Sequence, residues 1–164
     1  MFTQCISKEF KLFAADERSP AADYARALCH HAHAECGGPG VGLIGMCLTG
    51  NFALSLVADP SILAPVAAQP SLPFRGATAL HMTPEQLSQA KRVVAERGPS
   101  SILGIKYKGD PMCPNARFTR LTEEFGDGFE AIMLDGKDHA TLTEHVDQGA
   151  LDRTLSFFKE KLSA

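Results

Sequence analysis

Val41-Gly42-Leu43-Ile44-Gly45-Met46-Cys47-Leu48-Thr49-Gly50-Asn51-Phe52-Ala53-Leu54 runs a short apolar stretch into a glycine, places one cysteine beyond it, turns on small residues and resumes an apolar run. The pattern predicts a buried strand at 41–46, a sharp turn on Cys47 and a helix over 48–58. Strand, tight turn and helix make a nucleophile elbow, here with cysteine where serine is commoner. A side chain on such a turn projects from the end of the sheet. The following helix directs its free N–H groups and positive dipole end toward it. A thiol so placed ionises more easily, and the thiolate is the nucleophile. Gly45 allows backbone to pack on backbone at the turn.

On the N-terminal side of the elbow, residues 2–7 alternate weakly, as a strand or an extended lead-in. Ser19-Pro20 reads as the N-cap and first residue of a helix that stops at Gly37-Gly38, with its alanines, Tyr24 and Leu28 giving a mildly apolar face. On the other side, Asp59-Pro60 breaks the pattern and 62–68 suits a second buried strand. Gln69-Pro70-Ser71-Leu72-Pro73 forms a rigid loop at its exit. Thr83-Pro84-Glu85-Gln86 is a capping box opening a helix with Leu87, Ala90 and Val94 on one face, closed by Gly98-Pro99. A strand at 101–107 follows, then a helix over 114–125 with Phe118, Leu121 and Phe125 aligned. A strand at 128–134 precedes a final helix over 148–162, striped by Leu151, Leu155, Phe158 and Leu162. Strands alternate with helices at least four times. That predicts an α/β fold: one domain over 1–164 with a mainly parallel sheet and helices on both faces.

Sites in such sheets form beyond the carboxyl ends of strands. Cys47 follows one strand, Asp110 follows the strand at 101–107, and His139 follows the strand at 128–134. Four residues separate Leu134 from His139; extended, they reach roughly 13 Å, enough to turn back over the sheet edge. Nucleophile, acid, histidine is the α/β-hydrolase order. In these roles Cys47 attacks a carbonyl carbon, His139 assists thiolate formation and protonates the leaving group, and Asp110 orients the imidazole. The Leu48 N–H supplies one oxyanion donor. Plainer readings stand beside these: a buried small hydrophobe for Cys47, a turn initiator for Asp110, an exposed loop histidine for His139. Asp138 and His145 are the rivals of Asp110 and His139. Cys113 reads as a helix-start residue near the site. Of His30, His31 and His33, only the first and last share a helix face, and no carboxylate or cysteine completes a metal set. Cys5, Cys29 and Cys36 show no pairing pattern, and Gly37-Gly38-Pro39-Gly40 lacks a Walker lysine.

Gly45-Met46-Cys47-Leu48-Thr49-Gly50 resembles the elbow of the dienelactone hydrolase family, a cysteine branch of the α/β hydrolases. Gly104-Ile105-Lys106-Tyr107-Lys108-Gly109-Asp110-Pro111 and Asp138-His139-Ala140-Thr141-Leu142-Thr143 agree with it. The similarity runs from about Cys5 to Leu162 and covers the later part of a complete family member, whose opening strands have no counterpart here. The resemblance implies a truncated α/β-hydrolase fold and a cofactor-free hydrolase of small esters or lactones with Cys47, Asp110 and His139 as triad. Two departures stand out. Thr49 occupies an elbow position where glycine is usual, which predicts a strained or slightly opened turn. The loop that supplies the family's second oxyanion donor is not found, nor is its early glutamate. Arg18, Arg75 and Arg117 are counterparts of its substrate-binding arginines by type only. The alternative is a silent or weakly active domain with a binding role. A glutaminase-type enzyme would want a carboxylate two residues after the histidine, where Thr141 stands.

With 45% hydrophobic and 21% charged residues, the 164-residue chain has the composition of a soluble globular domain. A net charge of −3 leaves no basic footprint for nucleic acid. No apolar run is long enough to span a membrane, and residues 1–13 lack a signal-peptide core, which predicts a cytoplasmic protein. Five cysteines without a C-x-x-C argue against a disulfide framework or a zinc ribbon. No cofactor and no metal are expected. The absence of the opening strands predicts an exposed sheet edge and a homodimer formed through it.

Overall fold

The computed structural model describes residues 8, 10, 14, 15 and 17–163; the predicted lead-in at 2–7 lies outside them. The described elements run α1 (Pro20–Cys36), β1 (Val41–Met46), α2 (Gly50–Ser55), β2 (Ile62–Ala68), α3 (Pro84–Arg97), β3 (Ile102–Tyr107), α4 (Asn115–Phe125), β4 (Phe129–Leu134) and α5 (Gln148–Leu162). The four strands form one parallel sheet in the order β1-β2-β3-β4, an α/β fold. Each strand is reached from its neighbour by a helical crossover, so every strand exit lies at the same sheet edge.

Most helices pack on one face. Ala53 and Leu54 of α2, Ala90 and Val94 of α3, and Phe118, Leu121 and Phe125 of α4 share a core with Ala67, Ile102 and Phe129. Cys29 of α1 joins Leu56 and Ile62 beside it. The other face is covered by α5, where Ala150 and Phe157 meet Ala64, Val66, Leu103 and Ile105. Register slips once, between Val41 and Gly42, and Gly42 leaves room for the Phe158 ring. A Cβ at Gly42 would lie 2.9 Å from that ring.

Local chemistry explains most boundaries. The Thr83 Oγ1 accepts from Gln86 N–H (3.2 Å) and Thr83 N–H donates to the Gln86 Oε1 (2.9 Å), closing the capping box. Asp147 caps α5 by accepting from Ala150 N–H at 2.8 Å. Three expectations need correction. Ser19 holds the N-cap position of α1, but its side chain makes no capping bond to the helix. The face of α1 that meets the core carries Ala22, one of the expected alanines, and Cys29, whereas Tyr24 and Leu28 are exposed. In α5 the fully buried residues are Ala150, Thr154 and Phe157; of the expected stripe, Phe158 and Leu162 pack partly buried against the same core and Leu155 is exposed. Adjacent stripes satisfy the same 3.6 period, so spacing alone does not say where the centre of the buried face lies. Among the described residues no helix is long and apolar enough to cross a membrane.

Candidate active site

β1 ends where predicted, and the chain turns at once. Cys47 has φ +53°, in the left-handed region that costs a residue with a Cβ. The helix expected over 48–58 is broken: one 3-10 turn, Cys47–Thr49, is followed by the six-residue α2. Gly45 cannot carry a side chain here, since a Cβ would lie 2.2 Å from the Thr49 carbonyl oxygen. Thr49 does not open the turn. Its hydroxyl accepts from Met46 N–H (3.0 Å) and donates to the Met46 carbonyl (2.9 Å), so it closes the turn, and the strained residue is Cys47 itself.

Asp110 leaves β3 through a turn in which its N–H donates to the Tyr107 carbonyl. Its Oδ1 accepts from Met112 N–H (2.8 Å), and its Oδ2 lies 2.7 Å from the His139 Nδ1. A carboxylate accepts and does not donate, so Nδ1 carries the ring proton. The other ring nitrogen, Nε2, is buried and without a partner among the described residues, and in the neutral ring it keeps its lone pair. Two bonds from the β3 exit to the β4 exit hold the histidine loop: Lys108 N–H to the Leu134 carbonyl and Gly109 N–H to the Gly136 carbonyl, both 2.8 Å. The rivals are occupied elsewhere. His145 approaches Asp138 at 3.9 Å on the surface, and its Nδ1 is 2.7 Å from the His139 carbonyl oxygen.

The exit loop of β2 joins the two halves of the site, and sequence reading passed over its polar side chains. Ser71 N–H donates to the Cys47 carbonyl (3.1 Å), and the Ser71 Oγ is 3.2 Å from the Cys47 Sγ. Gln69 sits at φ +34°, and its Oε1 accepts from the N–H and hydroxyl of Thr141, at 3.3 and 2.7 Å. Thr141 is two residues from His139, so one loop fixes both the nucleophile and the histidine segment. Beneath the loop lies Arg117, 1% exposed. Its guanidinium donates to the carbonyls of Pro70 (2.7 Å), Pro73 (2.7 Å) and Ala79 (3.1 Å). Burial pulls its pKa down. Arg117 is thus committed to backbone rather than open to substrate, Arg18 pairs with Asp23, and Arg75 is exposed on the β2–α3 connection. The signal for this loop was two polar residues, Gln69 and Ser71, set among prolines at a strand exit.

Other expected residues have local partners. His30 Nε2 meets the Asp59 carboxylate at 2.8 Å, and His33 Nε2 the Gly38 carbonyl at 3.0 Å. Lys106 is wholly buried in β3 and donates to the Asn115 Oδ1 (2.5 Å). Burial pulls its ammonium below the usual lysine range, against the Cys113 and Asp110 charges. Cys113 is completely buried, and burial, first of all, pushes its thiol up to about 12. An unfolded thiol ionises near 9. A group whose folded pKa is raised stabilises the fold below the unfolded value and loses that contribution as pH rises toward the folded one. Stability is therefore expected to fall between about pH 9 and 12. Cys113→Ala should flatten that slope in denaturant titrations across the window; an unchanged slope would show that Cys113 is not its source.

No family model and no curated protein matches the chain. It is similar in structure to TT1662 from Thermus thermophilus, with a TM-score of 0.58 and 18% sequence identity over 87% of this chain. The match covers 63% of that chain. The likeness extends to the fold: a parallel sheet flanked by helices.

Proposed function

We propose that this chain is a cofactor-free hydrolase of small carboxylic esters or lactones, of the dienelactone hydrolase type, working through a Cys47 thioester. The observation that carries the reading is the Asp110–His139 pair at 2.7 Å. It leaves a buried, unpartnered Nε2 in a site whose shared loop also touches a cysteine held at φ +53°. An imidazole oriented in this way takes the thiol proton, and the thiolate adds to the carbonyl carbon. As the tetrahedral intermediate collapses, the ester C–O bond breaks and His139 returns the proton to the leaving oxygen. Water, activated by the same Nε2, then cleaves the thioester and restores the thiol.

The Leu48 N–H, next to the nucleophile, is the backbone donor this reading assigns to the oxyanion. Work with one donor in place of two costs roughly 10²–10³-fold in rate. An activated aryl ester acylates a thiolate with less help than the thioester needs to hydrolyse. The expected trace is a burst of phenol release of one equivalent, then slow turnover. Intact mass and peptide mapping should place the acyl group on Cys47. No adduct on Cys47, with the thiol also inert to iodoacetamide, would favour the silent-domain reading.

A further inference from the structure

Ser71 is wholly buried at the exit of β2, and its hydroxyl lies 3.2 Å from the Cys47 sulfur. Among the described residues that hydroxyl has no other partner. A buried O–H finds an acceptor, and here the sulfur is the acceptor within reach. A thiolate has no proton to give, so once Cys47 ionises the hydroxyl can only donate to it. The helix that the sequence places behind the sulfur is reduced to a 3-10 turn and six residues, so little macrodipole stands there. The hydroxyl, by contrast, is held in position. The Ser71 N–H is bound to the Cys47 carbonyl, and Arg117 grips the carbonyls of Pro70 and Pro73 on either side.

We propose that Ser71 is a catalytic residue of this site, its hydroxyl donating a hydrogen bond to the Cys47 thiolate and raising the fraction of nucleophile ionised near neutral pH. The inference rests on Cys47 being the nucleophile, and it needs no particular substrate. Hydrogen bonds to charged groups are about twice as strong as neutral ones, and a fixed donor requires no reorganisation when the charge forms. Three titratable groups stand at the neighbouring strand exits. His139 enters from the β4 exit with Asp110 on its far nitrogen, and Cys113 from the β3 exit, where it feels the Cys47 charge. Cys113 is pushed up to about 12 by burial, so it stays a thiol over the range of the test.

The test is the pH profile of Cys47 alkylation by iodoacetamide, followed by peptide mapping so that exposed cysteines do not contribute. Ser71→Ala keeps the backbone bond to Cys47 and removes only the hydroxyl. It should slow Cys47 alkylation about tenfold near pH 7 and reach the wild-type rate at high pH, where the thiolate forms without help. Ser71→Thr, which keeps the hydroxyl, should follow the wild-type profile. A wild-type profile for Ser71→Ala would overturn the proposal. So would a deficit that persists undiminished at high pH, because that marks lost access rather than lost ionisation. Threonine behaving like alanine would also count against it. Alkylation needs no oxyanion and no ester. A wild-type protein that alkylates with the expected Ser71 dependence but never acylates would sink the ester-hydrolase reading and leave standing only that the Ser71 hydroxyl stabilises a reactive Cys47 thiolate.

Discussion

Asp110→Asn is expected to lower the rate of Cys47 acylation by an activated aryl ester roughly 10³–10⁴-fold, the range typical of a triad whose histidine is held in the wrong tautomer. The two carboxylate oxygens have separate duties: Oδ1 accepts from Met112 N–H, and Oδ2 meets the His139 Nδ1. An asparagine keeps its carbonyl oxygen on the Met112 N–H, because that donor tolerates only an acceptor. Its NH₂ group is then turned toward Nδ1, which must accept. The ring proton moves to Nε2, and the nitrogen that should take the thiol proton becomes a donor. Geometry is conserved while the chemistry is reversed, so melting behaviour should stay near that of the parent. Single-turnover acylation monitored by phenol release gives the number. A loss below about tenfold would mean that Asp110 is only a turn former.

Arg117→Met is expected to destabilise the fold by about 3–5 kcal/mol, in the upper tail of single substitutions. Methionine matches much of the side-chain stem and removes the guanidinium fork. The carbonyls of Pro70, Pro73 and Ala79 lose their donor in a buried place, at about 1–3 kcal/mol for each unsatisfied group, with partial relief as the loop relaxes toward water. Lysine should not rescue it, because one ammonium cannot reproduce a planar fork aimed at several carbonyls. Equilibrium denaturation in urea measures the change. A loss under about 1 kcal/mol would show that the loop finds other donors. The same loop carries Ser71 and Gln69, so Arg117→Met should also disturb both halves of the site at once.

The positions of Cys47, Asp110 and His139 beyond strand exits were readable from the chain because strand period, glycine placement and capping residues are local signals. The capping box at Thr83, the bounds of β1 and the aligned Phe118, Leu121 and Phe125 were readable for the same reason. Where two local solutions have nearly equal energy, only packing separates them. The buried face of α5 is wider than the predicted stripe: Phe158 and Leu162 pack on the core as expected, Phe158 over Gly42, but Ala150 and Phe157 are buried beside them and Leu155 is exposed. The elbow helix is cut to six residues, after which the chain turns and Leu56 packs with Cys29 and Ile62 while Val57 joins the core of α3 and α4. Thr49, read as a source of strain, closes the turn through a bond visible only once its hydroxyl and Met46 are placed. The link between Ser71 and Cys47 spans 24 residues, that between Gln69 and Thr141 spans 72, and the Arg117 clamp reaches back 47. No periodicity reports such pairs. They follow from a parallel sheet that brings every strand exit to one edge, where buried polar groups must find one another because water is excluded.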